Sequence, residues 1–194
     1  RRATVADRDA VVATLKRAFT MDPLVRWFFP DDVTYPARAA AFFGYLFDIR
    51  VEHGEVRVVS EGDAASLWTP PDGVTMSTSE QDRRWADQVE AGAGPGEIAR
   101  LDRFDEAVAA MRPAEPHWYL GVLATDPSRR HRGLASAVVQ PVLERADRDD
   151  KPVFLESAAD NLPFYARFGF AELGAADLPD GPTVHTLWRE PKTT

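Results

Sequence analysis

An α/β (α+β) fold is predicted for this chain of 194 residues, and three observations predict it. Trp118 to Thr125 and Val153 to Ser157 are apolar runs of strand length, the kind found in buried central strands. Glu55 to Val59 and Ala64 to Thr69 flank Glu61-Gly62-Asp63 and read as an antiparallel hairpin. Apolar residues recur at helical spacing over Asp9 to Phe19, Ala37 to Val51 and Gly133 to Ala146.

In chain order, Thr4 and Val5 are expected to open the domain as a short strand. The first helix follows, with Val12, Leu15 and Phe19 on one side. Met21 to Pro36 is turn-rich and aromatic, and no regular element is assigned to it. The second helix carries Phe42, Phe43, Leu46 and Phe47 as a wide apolar stripe and stops at Gly54. After the hairpin and Pro70-Pro71, Ser77 to Arg112 is helical in tone, broken by Ala91-Gly92-Ala93-Gly94-Pro95-Gly96. That glycine-rich piece follows no strand and lacks dinucleotide-loop spacing, so it reads as a breaker between two helices. Trp118 to Thr125 is expected to be buried on both faces. In the helix from Gly133, Pro141 must either kink the axis or leave a carbonyl unpaired. Beyond the strand Val153 to Ser157, Asp160 or Asn161 can cap a short helix with Pro163 in its first turn and Gly169 at its end. A strand around Phe170 to Leu173, a turn at Asp180-Gly181-Pro182 and a strand from Thr183 to Trp188 close the domain.

Composition bounds the function. Twenty-three basic against thirty-one acidic residues leave a net charge of −8, which disfavours nucleic acid and anionic membrane surfaces as main partners. No run is long and apolar enough to span a bilayer and no secretory signal is visible, so a cytoplasmic location is the expectation. The absence of cysteine excludes disulfides, thiolate metal ligands and a cysteine-bound acyl intermediate. His53, His117, His131 and His185 lie far apart, and no metal site is expected.

Against this acidic background, Arg130-His131-Arg132-Gly133-Leu134-Ala135 stands out. It lies between a strand and a helix start, where unpaired amides at the positive end of the helix dipole favour an anion. Arg129, Arg130 and Arg132 add charge, which suits a ligand with several phosphates. Asn161 and Tyr165, four residues apart, share a helix face.

The order of strand, phosphate-binding helix start, strand and Asn…Tyr helix resembles the GNAT acyltransferase superfamily. Pro113 to Trp188 is most similar to its puromycin N-acetyltransferase group, through Arg112-Pro113-Ala114-Glu115-Pro116, Gly133-Leu134-Ala135-Ser136-Ala137-Val138-Val139, Phe154-Leu155-Glu156-Ser157 and Asn161-Leu162-Pro163-Phe164-Tyr165, with Trp68-Thr69-Pro70 in the amino half. Ala135 departs from the glycine found in many members. The resemblance implies a GNAT-like central mixed, mostly antiparallel sheet of six to seven strands flanked by helices. It implies one N-acetyltransferase domain over 1–194, with an acceptor-side half at 1–116, a helical insertion at about 74–112 and an acetyl-CoA-binding half at 117–190.

By the same resemblance, Leu123, Ala124 and Thr125 would pair with the pantetheine arm like an added strand. Amides from Arg130, His131, Arg132, Gly133, Leu134, Ala135 and Ser136 would hold the pyrophosphate, and Asn161 would steady the pantetheine. Tyr165 would reach the thioester sulfur as general acid, since a phenol with a pKa of about 10 stays protonated at neutral pH. Transfer would be direct, to a deprotonated amine. Glu156 is the first candidate for general base, His117 the second, and water the alternative. Trp27, Phe28, Phe29, Phe42, Phe43, Tyr45 and Trp85 are candidate walls for the acceptor, and Glu52, Asp48 or Glu80 could attract a cationic amine. The acceptor implied is a small-molecule amine, with antibiotic-like amines in range. A protein or peptide amino group and a non-catalytic acyl-CoA sensor are the alternatives, and the state is monomer or homodimer.

Overall fold

The computed structural model describes residues 1–192, and it orders the chain around one six-stranded sheet. Three helices come first: α1 (Arg8–Ala18), α2 (Pro23–Phe28) and α3 (Tyr35–His53). The hairpin β1 (Glu55–Val59) and β2 (Ala64–Thr69) is followed by α4 (Thr78–Gln88) and α5 (Pro95–Met111). Then come β3 (Trp118–Thr125), α6 (Leu134–Arg148), β4 (Val153–Ser157), α7 (Leu162–Ala166), β5 (Ala171–Asp177) and β6 (Thr183–Arg189). The strand order is β1-β2-β3-β4-β6-β5, and every neighbouring pair is antiparallel except β3 and β4.

Helices cover both faces of the sheet. Val11, Leu15, Phe43 and Phe47 of α1 and α3 pack with Val58 and Leu67 on one face, while Val138, Val142 and Leu143 of α6 pack with Trp68, Trp118 and Leu155 on the other. The second face also holds a buried polar chain, in which Trp68 Nε1 donates to Ser66 Oγ and Ser66 Oγ donates to the Val138 carbonyl, each at 2.8 Å. At the far end Arg189, only 2% exposed, donates to Phe168 O and Asp147 Oδ2, fastening β6 to α6.

The predicted elements are present with shifted ends, and four expectations are corrected. Thr4 and Val5 form no strand; Thr4 caps a single turn through Asp7, and the nearby backbone makes only an isolated bridge between Arg2 and Arg57. The sheet therefore has six strands. Within the segment read as irregular, Pro23–Phe28 is helical, capped by Asp22 Oδ1, which accepts from the amides of Leu24 and Val25. Neither Asp160 nor Asn161 caps α7 through its side chain. Finally, β3 is half-buried in alternation rather than covered on both faces, because one set of its side chains reaches open space. The helix α6 runs through Pro141 as one element, so the Ala137 carbonyl loses its helical donor. No helix among the described residues is long and apolar enough to cross a membrane.

Candidate active site

Two departures from regular pairing open the sheet at its centre. Leu67 pairs with Val122 and Trp68 with Leu120, which leaves Gly121 as the extra residue of a β-bulge. At the bulge the buried side chains of β3 change face: Trp118 and Leu120 lie with α6, whereas Val122 and Ala124 lie with α1 and α3. On its other side β3 pairs with β4 over only three residues, Trp118 to Leu120, and the two strands part beyond Leu155. The amide of Asp126 donates to Asp63 O on the β2 side, so by strand alternation Ala124 turns its polar groups toward β2. Leu123 and Thr125 then turn theirs toward the opening, where no strand meets them.

Two cavities meet in this opening, and Leu123, Ala158, Asn161 and Tyr165 border both. The larger, about 770 Å³, runs from Thr125 to the start of α6. Its wall includes Arg130, His131, Gly133, Leu134, Ala135 and Ser136. Gly133, the N-cap of α6, has φ +77°, and no side chain caps the helix, so the first-turn amides are left without a protein partner. His131 also has positive φ, at +61°, which turns successive amides into one concavity. Of the three arginines expected here only Arg130 lines the wall. Arg129 pairs with Asp63 at 3.5 Å, and the exposed Arg132 stands outside it.

The second cavity, about 580 Å³, lies on the α3 and α5 side. Phe28, Phe42, Phe43, Tyr45 and Trp85 line it, while Phe29 is core and Trp27 packs under Gly181. The three acids expected to attract an amine are engaged elsewhere: Asp48 with Arg8, and Glu52 and Glu80 with Arg84. His117 is also outside; its Nδ1 lies 2.6 Å from Glu115 O, and its ring packs between Phe154 and Trp188.

Glu156, on β4 where the strands part, faces the second cavity. Tyr119 Oη donates to its Oε1, and its buried Oε2 has no hydrogen-bond partner. Burial pushes the carboxyl up to about 7, against the pull of the Tyr119 hydrogen bond and of the Arg112 and Arg50 charges. Tyr165 is 7% exposed, edge-on to Phe164 and Phe170. Burial, and then the Glu156 charge, raises its phenol well above the usual tyrosine range. Beside a carboxyl near half-protonation at neutral pH there is thus a phenol that keeps its proton, the pairing of base and acid that a group transfer needs. Arg50, Arg112 and Tyr119 complete the floor, and none of the three was singled out from the sequence as a site residue.

Comparison with known proteins agrees with this geometry. Residues 78–170 match the model of the Acetyltransferase (GNAT) family. A Corynebacterium glutamicum structure described as histone acetyltransferase HPA2 and related acetyltransferase is 26% identical, with a TM-score of 0.70 over 100% of this chain and 96% of that one. Residues 78–170 thus match the GNAT acetyltransferase family, and the chain as a whole has a GNAT-like fold. The fold recurs at lower identity in a Staphylococcus aureus N-acetyltransferase (16%, TM-score 0.63, over 97% of this chain and 98% of that one). It recurs also in the polyamine N-acetyltransferase of Drosophila melanogaster (15%, TM-score 0.61, over 98% of each chain). In GNAT terms, the Asn161–Tyr165 segment falls inside the matched region, and the bulge at Gly121 with the parting of β3 from β4 is the centre of the fold. Among the described residues no group of three or more His, Asp or Glu could hold a metal ion.

Proposed function

We propose that this protein transfers an acetyl group from acetyl-CoA directly to a primary amine of a small molecule. The observation that carries the reading is the meeting of two cavities at Tyr165, one ending on free helix amides and the other walled by aromatic rings and holding Glu156. The open edge at Leu123 and Thr125 suits the amides of a pantetheine arm, with Asn161 beside it, and the first turn of α6 with Arg130 suits a pyrophosphate. When bound, acetyl-CoA would supply an activated acyl carbonyl and a thiolate leaving group. Glu156, directly or through water, takes the proton of the attacking amine, so that a new C–N bond can form as the C–S bond breaks. Tyr165 donates its proton to the departing sulfur and is restored from solvent.

The chain would act as one unit, residues 1–116 with the α4–α5 insertion shaping the acceptor side and 117–190 the donor side. An aromatic-walled cavity of this size suits a small amine, in keeping with the resemblance of Pro113 to Trp188 to puromycin-type enzymes. The test is thiol release from acetyl-CoA across puromycin, aminoglycosides, polyamines, amino acids and lysine peptides, together with calorimetry of acetyl-CoA binding. Turnover with a small amine is expected. Absence of binding removes the reading, and turnover confined to peptides replaces it.

A further inference from the structure

We propose that Arg50 receives a carboxylate of the acceptor, so that the amine acetylated here belongs to the α-amino-acid class and carries a large apolar or aromatic side chain. This rests on the acetyltransferase reading above and names its substrate class.

Arg50 lies near the C-terminal end of α3, is 7% exposed and lines the aromatic cavity. Its one hydrogen bond among the described residues runs from Nη1 to the Leu46 carbonyl at 3.3 Å. Nε is buried with no partner, and no carboxylate among the described residues lies within ion-pair distance of the guanidinium. Burying a charged group without a counter-ion is strongly unfavourable, so such a residue marks a place where an anion arrives from outside. The other buried arginine, Arg189, has its counter-ion in Asp147, and the half-buried Arg38 has Glu97.

The backbone is shaped around this cation. A Cβ on Gly121 would lie 2.6 Å from Arg50 Nη2 and 3.2 Å from Cζ, so the bulge residue must be glycine for the guanidinium to occupy its place. Tyr119 sets the relation between Arg50 and Glu156: its ring lies 5.7 Å from Arg50 Cζ, and its hydroxyl bonds Glu156. An amine whose proton passes to Glu156 therefore reacts in a cavity that also holds a guanidinium against the same tyrosine, and a planar fork of N–H donors is the natural partner of a carboxylate. Of the other carboxylates lining the cavity, Asp82, Asp102 and Asp105 are exposed at the rim, Asp22 is committed to capping α2, and Glu90 makes no ion pair with Arg50. Glu156 is near enough to feel the Arg50 charge but is bonded to Tyr119 and favoured as the neutral acid by burial, so no carboxylate is paired with the guanidinium. Arg112 is also exposed and stacks over Tyr119 at 4.7 Å. The rest of the pocket is edge-to-face aromatic surface, with Trp85 5.1 Å from Tyr45 and Phe28 5.3 Å from Phe104, which suits a large apolar side chain.

The deciding experiment compares matched acceptors on the unaltered protein by thiol release: phenylalanine against phenethylamine, and tryptophan against tryptamine. The amino acid is expected to exceed its decarboxylated partner in kcat/KM by about 100-fold or more, since an amine lacking the carboxylate leaves Arg50 unpaired. Arg50→Met should erase that preference by depressing the amino acid alone, and Arg50→Lys should restore part of it. Equal or better turnover of the decarboxylated amines, or turnover of other amines with neither member of a pair accepted, overturns the assignment and leaves the acetyltransferase reading intact. Failure of acetyl-CoA to bind at all removes both. The paired comparison needs no variant, so a poorly folding Arg50→Met does not blunt it.

Discussion

Glu156 must be a carboxylate to accept a proton, yet its surroundings favour the neutral acid. With its pKa near 7, kcat/KM should climb as pH rises from 5.5 to 8 with a midpoint close to that value, and Glu156→Gln should lose the climb along with most of the rate. Stability should respond in the opposite direction. The folded protein holds this proton more tightly than the unfolded chain, so the unfolded state binds fewer protons between the ordinary carboxylate range and about 7, and this site lowers stability as pH rises through that window. Urea titrations at pH 5 and 7.5, compared between the natural protein and Glu156→Gln, measure that contribution. Tyr165→Phe removes a proton donor and leaves the packing of Phe164 and Phe170 in place. A loss of about 100- to 10,000-fold in kcat with little change in acetyl-CoA affinity is expected, and unchanged turnover would end its role as the acid. Both residues are visible in the sequence by position, one on a strand bordering the cleft and one on a short helix after it. Arg50 is not: within the helical pattern of Ala37 to Val51 it looks like any solvated cation, and only the folded bulge shows it buried. Likewise nothing local says that Asp48 and Glu52 are engaged by Arg8 and Arg84, because those pairings join separate helices, whereas Glu80 with Arg84 is an i,i+4 pair within α4.

At the level of elements, long periodic helices and apolar strands were legible because burial of one face dictates their pattern, and the two central strands were read to the residue. Short elements were not. The six-residue α2 carries an Asp cap and a first-turn Pro but too few turns to show a period, and Thr4-Val5 has strand-forming residues with no neighbour to pair along its length. The Ser66 link between Trp68 and α6 was equally hidden, since it joins residues 72 apart. Ser66→Ala should leave the buried indole N–H without an acceptor and cost about 1–3 kcal/mol of unfolding free energy, with activity per folded molecule retained. Gly133→Ala meets no steric obstacle, since nothing lies within 4 Å of the added carbon. Its positive φ still makes the change cost about 1–2 kcal/mol. Calorimetry should then show weakened acetyl-CoA binding, as the start of α6 relaxes away from the geometry that aims its amides.

The whole molecule carries a charge of −8, and its polyanionic donor is expected to bind at a locally basic helix start. Binding to the folded state alone stabilises by mass action. At 100 times its dissociation constant, acetyl-CoA should add about 2.7 kcal/mol. For a chain of this size that corresponds to a rise in Tm of about 5 to 10 °C, readable by a thermal shift assay. Because β3 and β4 share only Trp118 to Leu120, the sheet is two three-stranded blades joined along a short seam, open like a zip below Leu120 and Leu155. A molecule lodged in that wedge would bridge the blades and stitch the seam further down. Hydrogen exchange should report it: on saturation with CoA, the amides of Leu123 and Thr125 should slow the most, and those of β1 and β5, at the outer margins, should not change.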